Sequence, residues 1–190
     1  MSHRYCTLFD RDYLSRGLAM IGSLQQYEPE ARIVVYAFDR VVEEVVRSLA
    51  LPRLDVVALA QFETQAHVKI KASRTNVEYC WTCTPSVIDD CISRFDLEHC
   101  TYIDADMFFF DSARSALEEL QGASVLITEH HYTPAYDQTA TMGKYCVQFM
   151  GFRRDKHGLE ALHWWRDRCL EWCYARPEKG KFGDQKYLDD

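Results

Sequence analysis

The sequence predicts a three-layer α/β/α domain on a mostly parallel central sheet, and three observations lead to it. Short apolar runs rich in β-branched residues alternate with segments of helical periodicity. The strand-like runs are apolar throughout rather than alternating, as in strands covered on both faces. Strand, helix, strand, helix and strand also follow one another early in the chain, between residues 5 and 59. That order belongs to a parallel sheet with right-handed crossovers.

Each element has its own basis. "YCTLFD", residues 5–10, is short, apolar and ends in an acid, so it reads as the first strand. "YLSRGLAMIGSLQQY" places Leu14, Leu18, Ile21 and Leu24 at helical spacing. "RIVVYAFD" is the second strand, "VVEEVVRSLA" a helix and "LDVVAL" the third strand. From Gln61 to Thr84 the periodicity is lost, and Lys69, Lys71 and Arg74 mix with Tyr79 and Trp81. A connection that long is functional or hides a helix. "PSVIDDCISRF" is predicted as a helix with Pro85 in its first turn, where the missing N–H does no harm. "CTYI" is a central strand, "SARSALEEL" a helix capped by Asp111 or Ser112, and "ASVLITE" a further strand. "HHYTPAYDQTATMGK", residues 130–144, is a second long loop. "YCVQFMGFRR" is a strand. "GLEALHWWRDRCLEWCYA" is an amphipathic helix with Leu159, Leu162, Trp165, Cys169 and Cys173 on one stripe, its tryptophans packing. In "FGDQKYLDD", Asp184 stands where a residue would cap a last short helix.

The chain has 190 residues, enough for a single domain over 1–190. A 47% hydrophobic and 13% aromatic composition rules out a disordered chain. A net charge of −7 with no basic block argues against nucleic acid as a partner, while a local pocket can still take a small anion. No apolar run is long enough to span a bilayer, and "MSHRYCTLFDRDYL" lacks the apolar core of a secretory signal. Cys91, Cys100, Cys169 and Cys173 sit in apolar periodic segments, so the cysteines read as reduced small hydrophobes of a cytoplasmic protein. Cys80 and Cys83 form a lone CxxC with no second pair at zinc spacing.

The chemistry concentrates in "CTYIDADMFFF", residues 100–110. Asp104 and Asp106 fall where the strand should end, the end at which open parallel sheets bind ligands. In an extended chain, residues i and i+2 point the same way, so both carboxylates face one spot. Two like charges there are costly unless a cation lies between them, and oxygen ligands suit Mg²⁺ or Mn²⁺. The alternative is a solvated turn in which Asp104 caps and Asp106 faces water.

With these residues in place, "YIDADMFFF" resembles the DxD segment of GT-A glycosyltransferases, specifically the glycogenin-like, family-8-type nucleotide-sugar transferases. "TLFDRDYLSRGLAMIGSL" resembles the strand and helix that clamp base and ribose, "YCVQFMGFRRD" a strand with donor-sugar contacts, and "FGDQKYLDD" the Asp-Gln segment at the transfer site. The resemblance implies a Rossmann-like GT-A fold and a metal-dependent, retaining transferase using UDP-sugar, Mn²⁺ or Mg²⁺, and a sugar, lipid or protein acceptor. It implies that Thr7, Leu8 and Asp10 meet the base, that Tyr13 stacks on it, and that Asp39 reaches base or ribose. Asp104 would contact ribose and metal, Asp106 metal, and Ala105 would be small because its backbone approaches the nucleotide. Asp184 and Gln185 would bind the donor sugar and line the transfer site. Arg74, backed by Lys71, is the candidate for phosphate.

The pattern is not complete. The family favours Asn followed by small residues where Cys146, Val147 and Gln148 stand, which bears on the donor sugar. Its C-terminal metal-binding His and phosphate-binding Lys have no counterpart before Asp190, so the resemblance implies a missing C-terminal part, with His130 or His131 as substitute ligands. Two rivals share these residues: a silent nucleotide-sugar-binding module, and a phosphatase with an Asp nucleophile. The phosphatase class wants Ser or Thr shortly after the second Asp, where Met107 and three Phe follow.

Overall fold

The computed structural model describes residues 4–190. Strand β1 (Arg4–Phe9) passes through a 3-10 turn (Arg11–Tyr13) into α1 (Leu14–Tyr27). Then come β2 (Arg32–Ala37), α2 (Arg40–Ser48) and β3 (Leu54–Ala58). Two short helices, α3 (Leu59–Phe62) and α4 (Gln65–Lys71), precede the long α5 (Asn76–Arg94). The rest is β4 (His99–Ile103), α6 (Arg114–Glu118), β5 (Val125–Glu129), α7 (Thr139–Met142), β6 (Tyr145–Arg153), α8 (Lys156–Glu171) and a closing 3-10 helix (Gln185–Asp189).

The six strands form one sheet in the order β3-β2-β1-β4-β6-β5. β3, β2, β1 and β4 are parallel, and β6 runs antiparallel between β4 and β5. Side-chain alternation along the strands divides the core. Cys6, Val34, Tyr36, Cys100 and Tyr102 face α5 and α8. Tyr5, Ile33, Val35 and Ile103 face α1 and α2. Both faces are covered, which is why the strand sequences are apolar throughout. No helix of the described residues is long and apolar enough to cross a membrane, and all eight cysteines are free of disulfides.

Three local expectations are revised. Pro85 does not open its helix but lies inside α5. That helix starts nine residues earlier, at Asn76, after a capping box in which Thr75 Oγ1 accepts from Glu78 N–H and the Glu78 carboxylate accepts from Thr75 N–H. Pro85 deletes one backbone bond, yet Tyr79, Cys83, Val87, Ile88, Cys91 and Ile92 bury the helix against the sheet and α8, and burial outweighs the break. Residues 61–84, unpatterned in sequence, therefore hold α4 and the first half of α5. Helix α6 is capped by neither Asp111 nor Ser112 in the ordinary way. Its N-cap is Ala113, with Ser112 Oγ accepting from Arg114 N–H.

Candidate active site

The C-terminal ends of β1 and β4 lie side by side where the connections part. β2 and β3 are laid to one side of β1, and β4 and β6 to the other. Open α/β sheets bind ligands in such a crevice. A cleft of about 140 Å³ opens there. Its floor is Leu8, Asp10 and the Tyr102–Asp106 segment, and its wall is Val77, Trp81 and Thr84, spaced along one stripe of α5, with Tyr13 at the rim. A wider hollow of about 800 Å³ lies around Glu28 and Ser112, but it is open, and the Glu28 carboxylate is already held by Tyr5 and Ser112 hydroxyls.

Asp104 and Asp106 both line the cleft, though not by the expected route. β4 ends at Ile103, and residues 104–107 form a turn closed by Met107 N–H on Asp104 C=O at 3.2 Å. The turn, not an extended i, i+2 pair, brings the second carboxylate round. Ala105 at its crest is buried and lines the cleft. Asp104 N–H donates to Gln148 C=O on β6 at 2.9 Å, and its Oδ1 accepts from the Tyr102 hydroxyl at 2.9 Å. Burial pushes the Asp104 carboxyl up to about 6, with the Tyr102 bond opposing and the Asp106 charge adding.

Asp184 joins them. It is 4% exposed and makes no side-chain cap bond, so the expected capping role is not what places it. Its carbonyl accepts from Trp165 Nε1 at 2.8 Å, which pins the 182–185 segment onto α8. Gly183, at φ +52°, turns that segment against the Trp81 ring, and Phe182 packs on the same ring at 6.2 Å. Burial first and then the Asp104 charge push the Asp184 carboxyl up to about 8, against bonding from its own and Gln185 backbone N–H and from Thr84. The Cys146 thiol is likewise raised, by burial and then by the charges of Asp104, Asp184 and Asp106. Asp104 and Asp106 thus share the cleft, with Asp184 buried within charge range of Asp104 and Cys146 beside them. The paired carboxylates of Asp104 and Asp106 are oxygen donors with excess negative charge, which suits a hard divalent cation, so they fit Mg²⁺ or Mn²⁺.

The remaining expected residues are placed unevenly. Asp10 accepts from Asp12 N–H and Asn76 Nδ2, which orients it at the cleft. Tyr13 is 38% exposed with the Arg16 guanidinium 4.7 Å from its ring centre. Asp39 caps α2 through Val42 N–H and accepts from Arg11 N–H. Burial pushes its carboxyl up, but those bonds win and hold it below the usual range. It is not among the cleft-lining residues. Thr7 is fully buried with no hydrogen bond to its hydroxyl, behind the cleft. Arg74 lies just ahead of α5, its guanidinium 3.8 Å from the Tyr174 ring centre, and Lys71 pairs with Glu63. Gln185 Nε2 donates to Met142 C=O. His130 stacks on Tyr132, and burial lowers its pKa against bonding from Gln185. Val77, Trp81 and Thr84 are site-lining residues that no sequence motif marks. Their i, i+4, i+7 spacing was a signal, but it lay in a segment read as irregular.

No protein-family model matches the chain. It is 33% identical over 197 residues to the uncharacterized protein YfnF of Bacillus subtilis, and 29% identical over 192 residues to YfnD of the same organism. The alignments cover 100% and 97% of this chain but 65% and 61% of those proteins, so it spans under two thirds of their length. Among solved structures, mouse xyloside xylosyltransferase 1 superposes with a TM-score of 0.61 at 13% identity, over 100% of this chain and 81% of that one. Galactosyltransferase LgtC, with donor and acceptor sugar analogues, gives 0.60 at 14%, over 98% and 69%. Mannosyltransferase PcManGT from Pyrobaculum calidifontis, with GDP-Man and Mn²⁺, gives 0.50 at 14%, over 84% and 45%. At such identities the likeness is one of fold, and the fold is the one these GT-A glycosyltransferases share.

Proposed function

We propose that this chain carries the donor-binding and transfer site of a divalent-metal-dependent glycosyltransferase of family-8 type, using a UDP-sugar with retention at the anomeric carbon. The observation that carries the reading is the pair Asp104 and Asp106 lining the switch-point cleft, with the buried Asp184 near enough to Asp104 for their charges to interact. Fold neighbours solved with donor and acceptor sugar analogues, or with GDP-Man and Mn²⁺, support it.

Tyr13 and Trp81 offer ring faces for the base, and Leu8, Asp10 and the small Ala105 leave the backbone open to base and ribose. Thr7 and Asp39 act from behind, setting the ends of β1 and β2. Asp104 and Asp106 hold Mn²⁺ or Mg²⁺, which when bound neutralises the diphosphate leaving group as a Lewis acid. Asp184 accepts from donor-sugar hydroxyls and stabilises positive charge at the anomeric carbon, and Gln185 positions the sugar beside it. Cys146 and Gln148 close the sugar side, and Arg74 waits at the outer rim for phosphate. A retaining reaction needs no dedicated general base, and none is assigned. The acceptor is a sugar, lipid or protein.

The test is UDP binding followed by thermal shift with and without Mn²⁺, then turnover of a UDP-sugar panel with the product anomer read by NMR. Mn²⁺-dependent UDP stabilisation that disappears in Asp106→Asn is expected. No UDP-dependent shift under either condition would sink the reading. Binding without turnover across the panel would leave a nucleotide-sugar-binding module.

A further inference from the structure

Away from the cleft, three cysteines distant in sequence meet inside the core. Cys6 lies on β1, Cys100 on the adjacent β4 and Cys91 on α5, which covers both strands. All three are fully buried. Their Sγ atoms all lie within 4.8 Å of one another, the Cys100 and Cys6 sulfurs 3.4 Å apart. A planar three-sulfur site with bonds of about 2.3 Å requires sulfurs about 4.0 Å apart, inside that range. Sulfur shifts of about half an ångström, within side-chain reach, would form it.

The three thiols differ: burial pushes Cys6 well up, and at Cys100 the bond to Cys6, which lowers it, is outweighed by the Cys91 bond and burial, so both shed their protons only as a metal binds. The Arg4 guanidinium closes this region, with its Nη1 buried and making no hydrogen bond, 3.7 Å from Asp55. Sulfur bonds from Cys100 and Cys6 and the Arg4 charge hold the Cys91 thiol below its ordinary value despite burial. A divalent cation such as Zn²⁺ and the Arg4 guanidinium, itself shared with Asp55, would offset most of the charge of three thiolates. Three-fold sulfur coordination with no further ligand suits Cu(I). Both have a filled d shell and bind thiolates well, Cu(I) as a soft cation and Zn²⁺ as a borderline one. The other sulfur groupings differ: Cys80 and Cys83 sit on α5 facing the cleft and Tyr79, and Cys169 and Cys173 pair without a third ligand among the described residues.

We propose that Cys6, Cys91 and Cys100 form a buried three-thiolate site for a thiophilic d¹⁰ metal ion, tying together the three elements whose ends build the cleft. The proposal is independent of the transferase reading. Each thiol loses its proton to solvent as the metal–sulfur bond forms, with no change of oxidation state.

The experiment uses the whole chain, reduced with a phosphine under nitrogen. It is titrated separately with Zn²⁺ and with Cu(I) against a chromogenic chelator, with Cd²⁺ as the ultraviolet thiolate reporter. One equivalent should bind with sulfur-to-metal absorption, and melting should rise by about 5–10 °C at a hundredfold excess over Kd. Zn²⁺ or Cu(I) is the occupant according to which arm binds tighter. Cys91→Ser should lose the absorption and weaken binding at least about tenfold, while Cys80→Ser should leave both unchanged. Circular dichroism checks folding, and Cys100→Ala replaces Cys91→Ser if that variant does not fold. Absence of thiolate absorption with both metals overturns the proposal. So does absorption that survives in Cys91→Ser and Cys100→Ala, or that is lost in Cys80→Ser.

Discussion

Asp184→Asn offers the sharpest test of how the site is held in the absence of a cation. The carboxyl is 4% exposed, and burial with the Asp104 charge moves it from 3.8 to about 8. Between those values the unfolded chain has released the proton and the folded chain retains it. Folding then takes up a proton, so this group's contribution to stability falls as pH rises. The slope is about 1.36 kcal/mol per pH unit, or at most about 2.7 kcal/mol between pH 5 and pH 7. For a chain of this size that corresponds to about 5–10 °C in melting temperature. Asp104, raised to about 6, adds in the same sense up to that pH. His67 opposes it: burial holds its pKa down, so its contribution grows as pH rises. The informative quantity is therefore wild type against variant. Asparagine keeps the backbone carbonyl that accepts from Trp165 and cannot titrate. In melting scans from pH 5 to 7 without divalent ions, the variant should gain on wild type by up to about 2.7 kcal/mol as pH rises. Mn²⁺ should narrow that gap, because a bound cation favours the ionised wild-type carboxylate. Parallel curves for the two proteins would refute the reasoning and return Asp184 to an ordinary buried position.

Asp106→Asn should abolish the Mn²⁺-dependent part of UDP binding in calorimetry while leaving melting temperature within about 2 °C, since the residue is exposed and one carboxylate of a like-charged pair is neutralised. Gly158→Ala should destabilise the fold by about 1–3 kcal/mol or more in urea unfolding, because an added Cβ would lie 2.2 Å from the Arg153 carbonyl oxygen, a backbone atom that cannot swing away. In the 130–144 connection, Lys186 Nζ on Thr139 C=O and Asp189 Oδ1 on Lys144 N–H tie down the second half. Hydrogen exchange should accordingly be fast over residues 132–138, where Tyr136 is 75% exposed, and slow there when UDP-sugar and Mn²⁺ are added. Slow exchange in the free protein, unchanged by ligand, would refute ordering of this segment by the donor.

The sequence by itself determined the layer order and the strands. Each strand is a short apolar run between polar turns, and that pattern follows from a sheet buried on both faces, whatever lies beyond it. It also located Asp104 and Asp106, because two carboxylates between "YI" and "MFFF" have no place in a core unless they face a functional opening. Tertiary structure decided what local pattern could not. Pro85 signals a helix start, yet it sits inside α5 because contacts with the sheet and α8, distant in sequence, outweigh one lost hydrogen bond. Val77 and Trp81 became a cleft wall only once that helix crossed β1 and β4. Asp184 follows the DxD pair by 78 residues, and only the pinning of its segment by Trp165 and Trp81 brings its carboxylate within charge range of Asp104. Cys6, Cys91 and Cys100 show the same limit. Each reads singly as a small hydrophobe, and their meeting depends on strand pairing and helix packing, which short-range spacing does not encode.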